Sequence, residues 1–106
     1  MRATLHTLEQ TILQRRSADP SASYVARLTA RGRAKIAQKV GEEAVEAVIA
    51  AMGDDRDGLV GESADLIFHL MLLLADAGVS FDAVLDELER REGVSGIAEK
   101  ASRPAD

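Results

Sequence analysis

Cysteine and tryptophan are absent from this 106-residue chain, and its aromatics are limited to Tyr24, Phe68 and Phe81. Without cysteine there is no disulfide, no thiolate metal site and no cysteine nucleophile, which fits a reducing compartment. Three aromatics do not make a stacking platform for single-stranded nucleic acid, so no nucleic-acid partner is expected. Proline is also scarce: Pro20 and Pro104 both lie outside the expected helices. No apolar run is longer than six residues, the length of LMLLLA at 70–75, which is far too short to span a bilayer. The N-terminal MRATLHTLEQTI has no apolar stretch of signal-peptide length. No membrane association is expected, and the expected location is cytoplasmic. There is no HExxH, which excludes a zinc protease of that type.

The chain does have the composition of one folded domain. Hydrophobic residues make up 46% and charged residues 29%, well outside the disordered range. At this size a monomer has only a modest core, so association helps to bury apolar surface. Charge is uneven. Residues 1–41 carry a net +6 and residues 42–106 a net −11, for a total of −5. That asymmetry suits a cation site in the second part, beside a basic segment that meets an anionic ligand.

Apolar positions recur at three and four, which predicts helices and little strand. The first helix is expected over about Leu5 to Arg16, with Thr4 as its cap. SADPSAS follows as a turn. A second helical region runs from about Tyr24 to Met52, broken or kinked at Gly32. GDDRDG at 53–58 is a loop. It fails as an EF-hand at position one, Gly53, and at position twelve, Ala64. The third helix is expected over about Leu59 to Asp76 with Asp57 as cap, and Gly78 stops it. Ser80 caps the fourth, which ends near Arg91. The fold class is therefore all-α: a four-helix bundle-type subunit over residues 1–92, with a loose tail at 93–106.

The carboxylates carry the chemistry. At about 100° per residue, Lys35, Gln38, Lys39, Glu42, Glu43 and Glu46 share one arc of the second helix. Ile36, Val40, Ala44, Val48 and Ala51 lie opposite, as the expected core side. Taken alone this is an ordinary amphipathic helix with a solvated face. The third helix changes the balance. LIFHLMLLLA is apolar nearly all round, as in a buried helix, yet Glu62, Asp65, His69 and Asp76 form a stripe along it. Buried charges must be paired or bind a metal. A short loop favours antiparallel packing of the two helices, which brings the two acidic pairs face to face. Carboxylates converging without sulfur or imidazole suit a hard cation, magnesium first and manganese second. Magnesium takes phosphate oxygens as further ligands, so the site points to nucleotide or pyrophosphate chemistry.

KIAQKVGEEAVEAVIAA followed by GESADLIFHLMLLLADAGVSFDAVLDELERR resembles the phosphoribosyl-ATP pyrophosphohydrolase family of histidine biosynthesis. The EExxE and ExxD motifs alone are similar to those of all-α nucleoside triphosphate pyrophosphohydrolases in general, including the MazG and dimeric dUTPase types. SYVARL with Gly32, KIAQKVGEEA and ADLIFHL are the more specific stretches. Two positions depart from the family pattern: Val25 stands where threonine is usual, and Phe68 where tyrosine is usual.

The resemblance implies magnesium-dependent hydrolysis of phosphoribosyl-ATP between its α and β phosphates, without a fused second enzyme. It implies Glu43, Glu46, Glu62 and Asp65 as metal ligands. Glu42 and Glu46 are equal candidates for accepting the proton from water. Lys35 and Lys39 are candidates for holding phosphates, ahead of Arg27, Arg31 and Arg33. His69 has two functional readings, substrate contact or support of the metal site, against a histidine satisfied inside the core. A homodimer is expected, with the LIFHLMLLLA helix near its interface. The alternatives are a housekeeping hydrolase of other nucleoside triphosphates and a catalytically silent helical dimerisation module.

Overall fold

Five helices account for most of residues 2–92, the part of the chain described by this computed structural model: α1 (Arg2–Arg15), α2 (Tyr24–Arg31), α3 (Arg33–Met52), α4 (Arg56–Asp76) and α5 (Phe81–Arg91). The described residues are all-α, as expected. The expected tail at 93–106 lies outside them.

One expected helix is two. Gly32 takes φ +100°, a conformation that residues with a Cβ rarely adopt. Its N–H bonds to the carbonyls of Leu28 and Thr29, while its own carbonyl accepts from Lys35 and Ile36. A single residue thus closes α2 and opens α3. Other boundaries also move. α1 starts at Arg2 rather than after Thr4. The cap of α4 is Asp55, not Asp57: its carboxylate accepts from the Gly58 N–H at 2.9 Å. Asp57 falls in the first turn, where its charge favours the helix dipole. Ser80 caps α5 as expected, accepting from the Ala83 N–H. At the end of α4, Gly78 has φ +73°, and the Val79 N–H reaches back to the Leu74 carbonyl, the hydrogen-bond pattern of a glycine helix stop. The SADPSAS turn is held by Asp19, whose carboxylate accepts from the Ser21 N–H at 2.9 Å.

α3 and α4 form an antiparallel hairpin with the most extensive helix–helix contact among the described residues. Arg33 meets Asp76 at the open end, and Ala50 and Leu59 line the same hollow near the turn. α1 lies against α4 and α2 against α3. Ile12, Ile36 and Leu72 are fully buried at the centre, with Val25, Leu28, Met71, Phe81 and Leu85 around them. Each such side chain contributes about 1.5–3 kcal/mol by leaving water. Polar contacts tie α1 to the α4–α5 junction. Arg16 donates to the Ala75 carbonyl at 2.7 Å, and Glu9 accepts from the Phe81 N–H at 2.8 Å.

α3 sits differently from its expected orientation. Its buried residues are Ile36, Glu43 and Ala50, a seven-residue repeat that forms a seam against α4. Ile36 was expected inside. Val48, expected inside, is 60% exposed, and Ala51 is exposed too. Val45, Ile49 and Met52 join Val48 on the uncovered surface of the helix, and Val60 and Ile67 are exposed on α4. By length and composition α4 could cross a membrane. Here it packs against α1 and α3, and it carries Glu62, Asp65 and Asp76, which are costly in hydrocarbon.

Candidate active site

The α3–α4 seam contains a carboxylate cluster. α3 supplies Glu43, only 7% exposed, and α4 supplies Glu62 and Asp65, three residues apart and on one face. One oxygen from each of the three lies within 4.8 Å of the others. Around magnesium, with ligands at about 2.1 Å, oxygens stand roughly 3–4 Å apart. Glu43 Oε2 and Glu62 Oε2 are buried and have no hydrogen-bond partner among the described residues. Orphaned buried polar atoms are rare in folded proteins. An all-oxygen donor set with two orphaned oxygens fits a hard divalent cation.

Glu46 completes the group from the next turn of α3. A carboxylate cannot donate to another carboxylate unless a proton lies between them. Hydrogen bonding with Glu46, then Glu43, aided by loss of water, pushes Glu62 up to about 7. Four acids gathered in one place thus retain a proton near neutrality, which a cation would displace.

Other residues on the same arc are placed differently. Glu42 is exposed and turns away, bound by Gln38 Nε2 at 2.8 Å and Lys39 Nζ at 3.3 Å. Those two contacts hold its carboxyl below the ordinary range. Lys39 also lies 3.8 Å from Glu43, and its ammonium is held above its ordinary range, chiefly by Glu42. Lys35 is half-buried one turn earlier, close enough for its charge to act on Glu42. Arg33 is taken up by Asp76, through its carboxylate and its carbonyl, both at 2.9 Å. Asp76, expected on the acidic stripe, therefore serves the open end of the hairpin rather than the cluster.

His69 is buried at 5% exposure. Its Nδ1 lies 2.7 Å from the Asp65 carbonyl and its Nε2 2.8 Å from the Tyr24 hydroxyl. Its ring is thus engaged on both sides, one turn beyond Asp65. Tyr24 was the residue missed by sequence reasoning. Its position at the start of a helix gives no sign that it reaches α4. It stacks on Phe68 with ring centroids 6.2 Å apart, and loss of water pushes its hydroxyl above the ordinary tyrosine range.

A helical hairpin bearing EExxE on one arm and ExxD on the other, with their acids converging, defines the class of all-α nucleotide pyrophosphohydrolases. Residues 5–92 match the family model described as phosphoribosyl-ATP pyrophosphohydrolase. The chain is 68% identical over 104 residues to a phosphoribosyl-ATP pyrophosphatase of Rhizorhabdus wittichii, covering 98% of both chains. It is 69% identical over 99 residues to one of Novosphingobium aromaticivorans, covering 93% of this chain and 92% of the relative. A third, from Erythrobacter litoralis, is 63% identical over 100 residues, 94% of this chain and 96% of the relative. The chain belongs to the phosphoribosyl-ATP pyrophosphohydrolase family.

Proposed function

We propose that this enzyme hydrolyses phosphoribosyl-ATP to phosphoribosyl-AMP and pyrophosphate in histidine biosynthesis. The observation that carries the reading is the seam cluster of Glu43, Glu62 and Asp65, with two orphaned buried oxygens and the exposed Glu46 beside Glu62, in a chain matched by this family over residues 5–92. These four residues would hold magnesium, or manganese in its place, which when bound would supply charge neutralisation for the phosphate oxygens.

The chain's own residues do the rest. Lys39 lies beside the cluster, and Lys35 stands one turn before it. Both hold the outer phosphates, which leave as pyrophosphate. Water oxygen forms a bond to the α phosphorus, and the bond from that phosphorus to the α–β bridging oxygen breaks. The water proton passes to a carboxylate. Glu46, beside Glu62, suits this role better than Glu42, which is engaged with Gln38 and Lys39. His69 supports the Asp65 turn and is not a ligand, because both of its nitrogens have partners.

The working unit is a cytoplasmic homodimer. Val45, Val48, Ile49 and Met52 on α3, and Val60 and Ile67 on α4, are exposed in the single chain. A second copy covers such apolar area more economically than water does.

The test is pyrophosphate release from phosphoribosyl-ATP with and without magnesium, alongside dUTP and dCTP. Magnesium-dependent release from phosphoribosyl-ATP alone is expected. Release from the other nucleotides instead would leave the site standing and overturn the pathway. No release from any of them, with no stabilisation by magnesium, would reduce the chain to a silent module.

A further inference from the structure

Lys39 stands at the edge of the carboxylate seam with two acids in reach. Its Nζ lies 3.3 Å from Glu42 Oε1 and 3.8 Å from Glu43 Oε1. Helix geometry alone supplies both neighbours, three and four residues further on. The two acids are not equivalent. Glu42 is exposed. Glu43 is buried, and its other oxygen, Oε2, is one of the two orphaned in the seam. An ammonium drawn fully onto Glu43 would neutralise the buried acid of the cluster and compete with a metal cation for it. The Lys39 side chain is only 27% exposed, which keeps its ammonium close to both acids.

Gln38 sets the balance between them. Its Nε2 donates to Glu42 Oε2 at 2.8 Å, across one turn of the same helix. That bond fixes the Glu42 carboxylate and leaves Oε1 for Lys39. Attraction falls with distance, so the ammonium is held more by Glu42 than by Glu43. It also stands beyond hydrogen-bond distance of Glu43. Ion pairs on a helix surface add little to stability. The consequence of this chain of contacts therefore lies in what it does to Glu43.

We propose that Glu42, fixed by Gln38, is a positioning residue that holds Lys39 off Glu43 and so keeps the seam open to its divalent cation. The inference rests on the cation site proposed above. It gives Glu42 a part other than metal ligand or proton acceptor, and it gives Gln38 a part in the site. Glu42 acts here through Lys39 and touches neither the metal nor the reacting atoms.

The experiment is a double-mutant cycle of Glu42→Gln and Lys39→Met. It is read as magnesium affinity, by calorimetric titration of the full chain with magnesium chloride and no substrate. Glu42→Gln is expected to weaken magnesium binding about 3- to 5-fold, because Lys39 then closes on Glu43. Lys39→Met, which removes the competing ammonium, is expected to tighten it. In the Lys39→Met background, Glu42→Gln is expected to change affinity by less than about twofold. Gln38→Met removes no charge and is expected to weaken binding about twofold, which separates positioning from the loss of a negative charge near the metal. A loss of equal size with and without Lys39 would make Glu42 a ligand or a plain source of field, and overturns the proposal. Unchanged affinity in Glu42→Gln overturns it too. If the wild-type chain binds no magnesium, the cation site itself falls and this inference with it. Magnesium binding without coupling between Lys39 and Glu42 removes this inference alone.

Discussion

The two helices of the hairpin meet twice through acidic side chains, with opposite results. At the open end, Asp76 of α4 is matched by Arg33 of α3 at 2.9 Å, and the same guanidinium takes the Asp76 carbonyl. In the middle, Glu43, Glu46, Glu62 and Asp65 meet, with Lys39 at 3.8 Å from Glu43 as the nearby ammonium. At the open end the acid stabilises the fold through its partner. In the middle the acids repel one another, share a proton and leave two buried oxygens unmatched. A stability role explains the first arrangement and not the second. The difference separates an acid that folding explains from acids that folding alone does not explain.

The largest expected effect comes from breaking the middle alone. Glu43→Gln or Asp65→Asn should lower pyrophosphate release by about 10²–10³-fold or more. The metal-free melting temperature should hold or rise, because one repelling charge is gone. Stability is read by thermal unfolding without divalent ions, and activity with magnesium present. Full activity in either variant would sink the assignment of the cluster, and a large fall in melting temperature would make these acids structural like Asp76.

Much of this contrast was legible in the sequence, though not all. Three- and four-residue spacing was enough to put Glu62 and Asp65 on one face of α4, and a short loop was enough to fold α3 back onto it. Which side of α3 faces inward was not legible. Its apolar residues argue for Val48 and Ala51 inside, and periodicity weighs each residue by its own hydrophobicity. The actual seam of Ile36, Glu43 and Ala50 buries an acid, against local preference. The roles of Arg33 and Tyr24 were hidden for another reason. Both depend on partners more than forty residues away, and no local pattern encodes such a pairing.

That uncovered apolar surface of α3 leads to the next prediction. The exposed Ile49, at 64%, flanks the seam of α3, lining a hollow with Glu46 and Glu62. If a second copy covers that side, Ile49→Asp should weaken self-association by about 2 kcal/mol or more, roughly 30-fold in dissociation constant. Sedimentation equilibrium measures it. A monomeric wild-type protein at micromolar concentration would contradict the dimer, whatever the variant does.

A smaller effect sharpens the middle of the hairpin by pH. Glu62 is raised to about 7 in the folded, metal-free chain, from an ordinary value of 4.5. Between these values the folded state holds a proton that the unfolded state has released. Stability from this group is therefore complete below about 4.5 and is lost as pH rises through about 7. The metal-free melting temperature should fall over that window, apart from other titrations, and Glu62→Gln should flatten the slope. Magnesium competes with the same proton, so its stabilising effect should be larger at pH 8 than at pH 5. Equal stabilisation at both values would place the cation elsewhere.

The smallest effects test whether pairing, rather than acidity, is what marks an acid as structural. Arg33→Ala removes the partner of Asp76 and a donor to the last turn of α4. It should lower stability by about 1 kcal/mol and leave kcat within about twofold. Glu87 provides the control. It is bound by Arg90 and by Arg91, which hold its carboxyl down to about 2, but all three lie on the surface of one helix, α5. Exposed pairs within a helix contribute little, so Glu87→Gln should change the melting temperature by little more than the error of the measurement. Arg33 joins residues 43 positions apart, whereas Glu87 joins neighbours already held by their helix. If the two variants lose equal stability, contact across the hairpin adds nothing to the ion pair. The distinction between the paired end and the unpaired middle would then rest on the carboxylate seam alone.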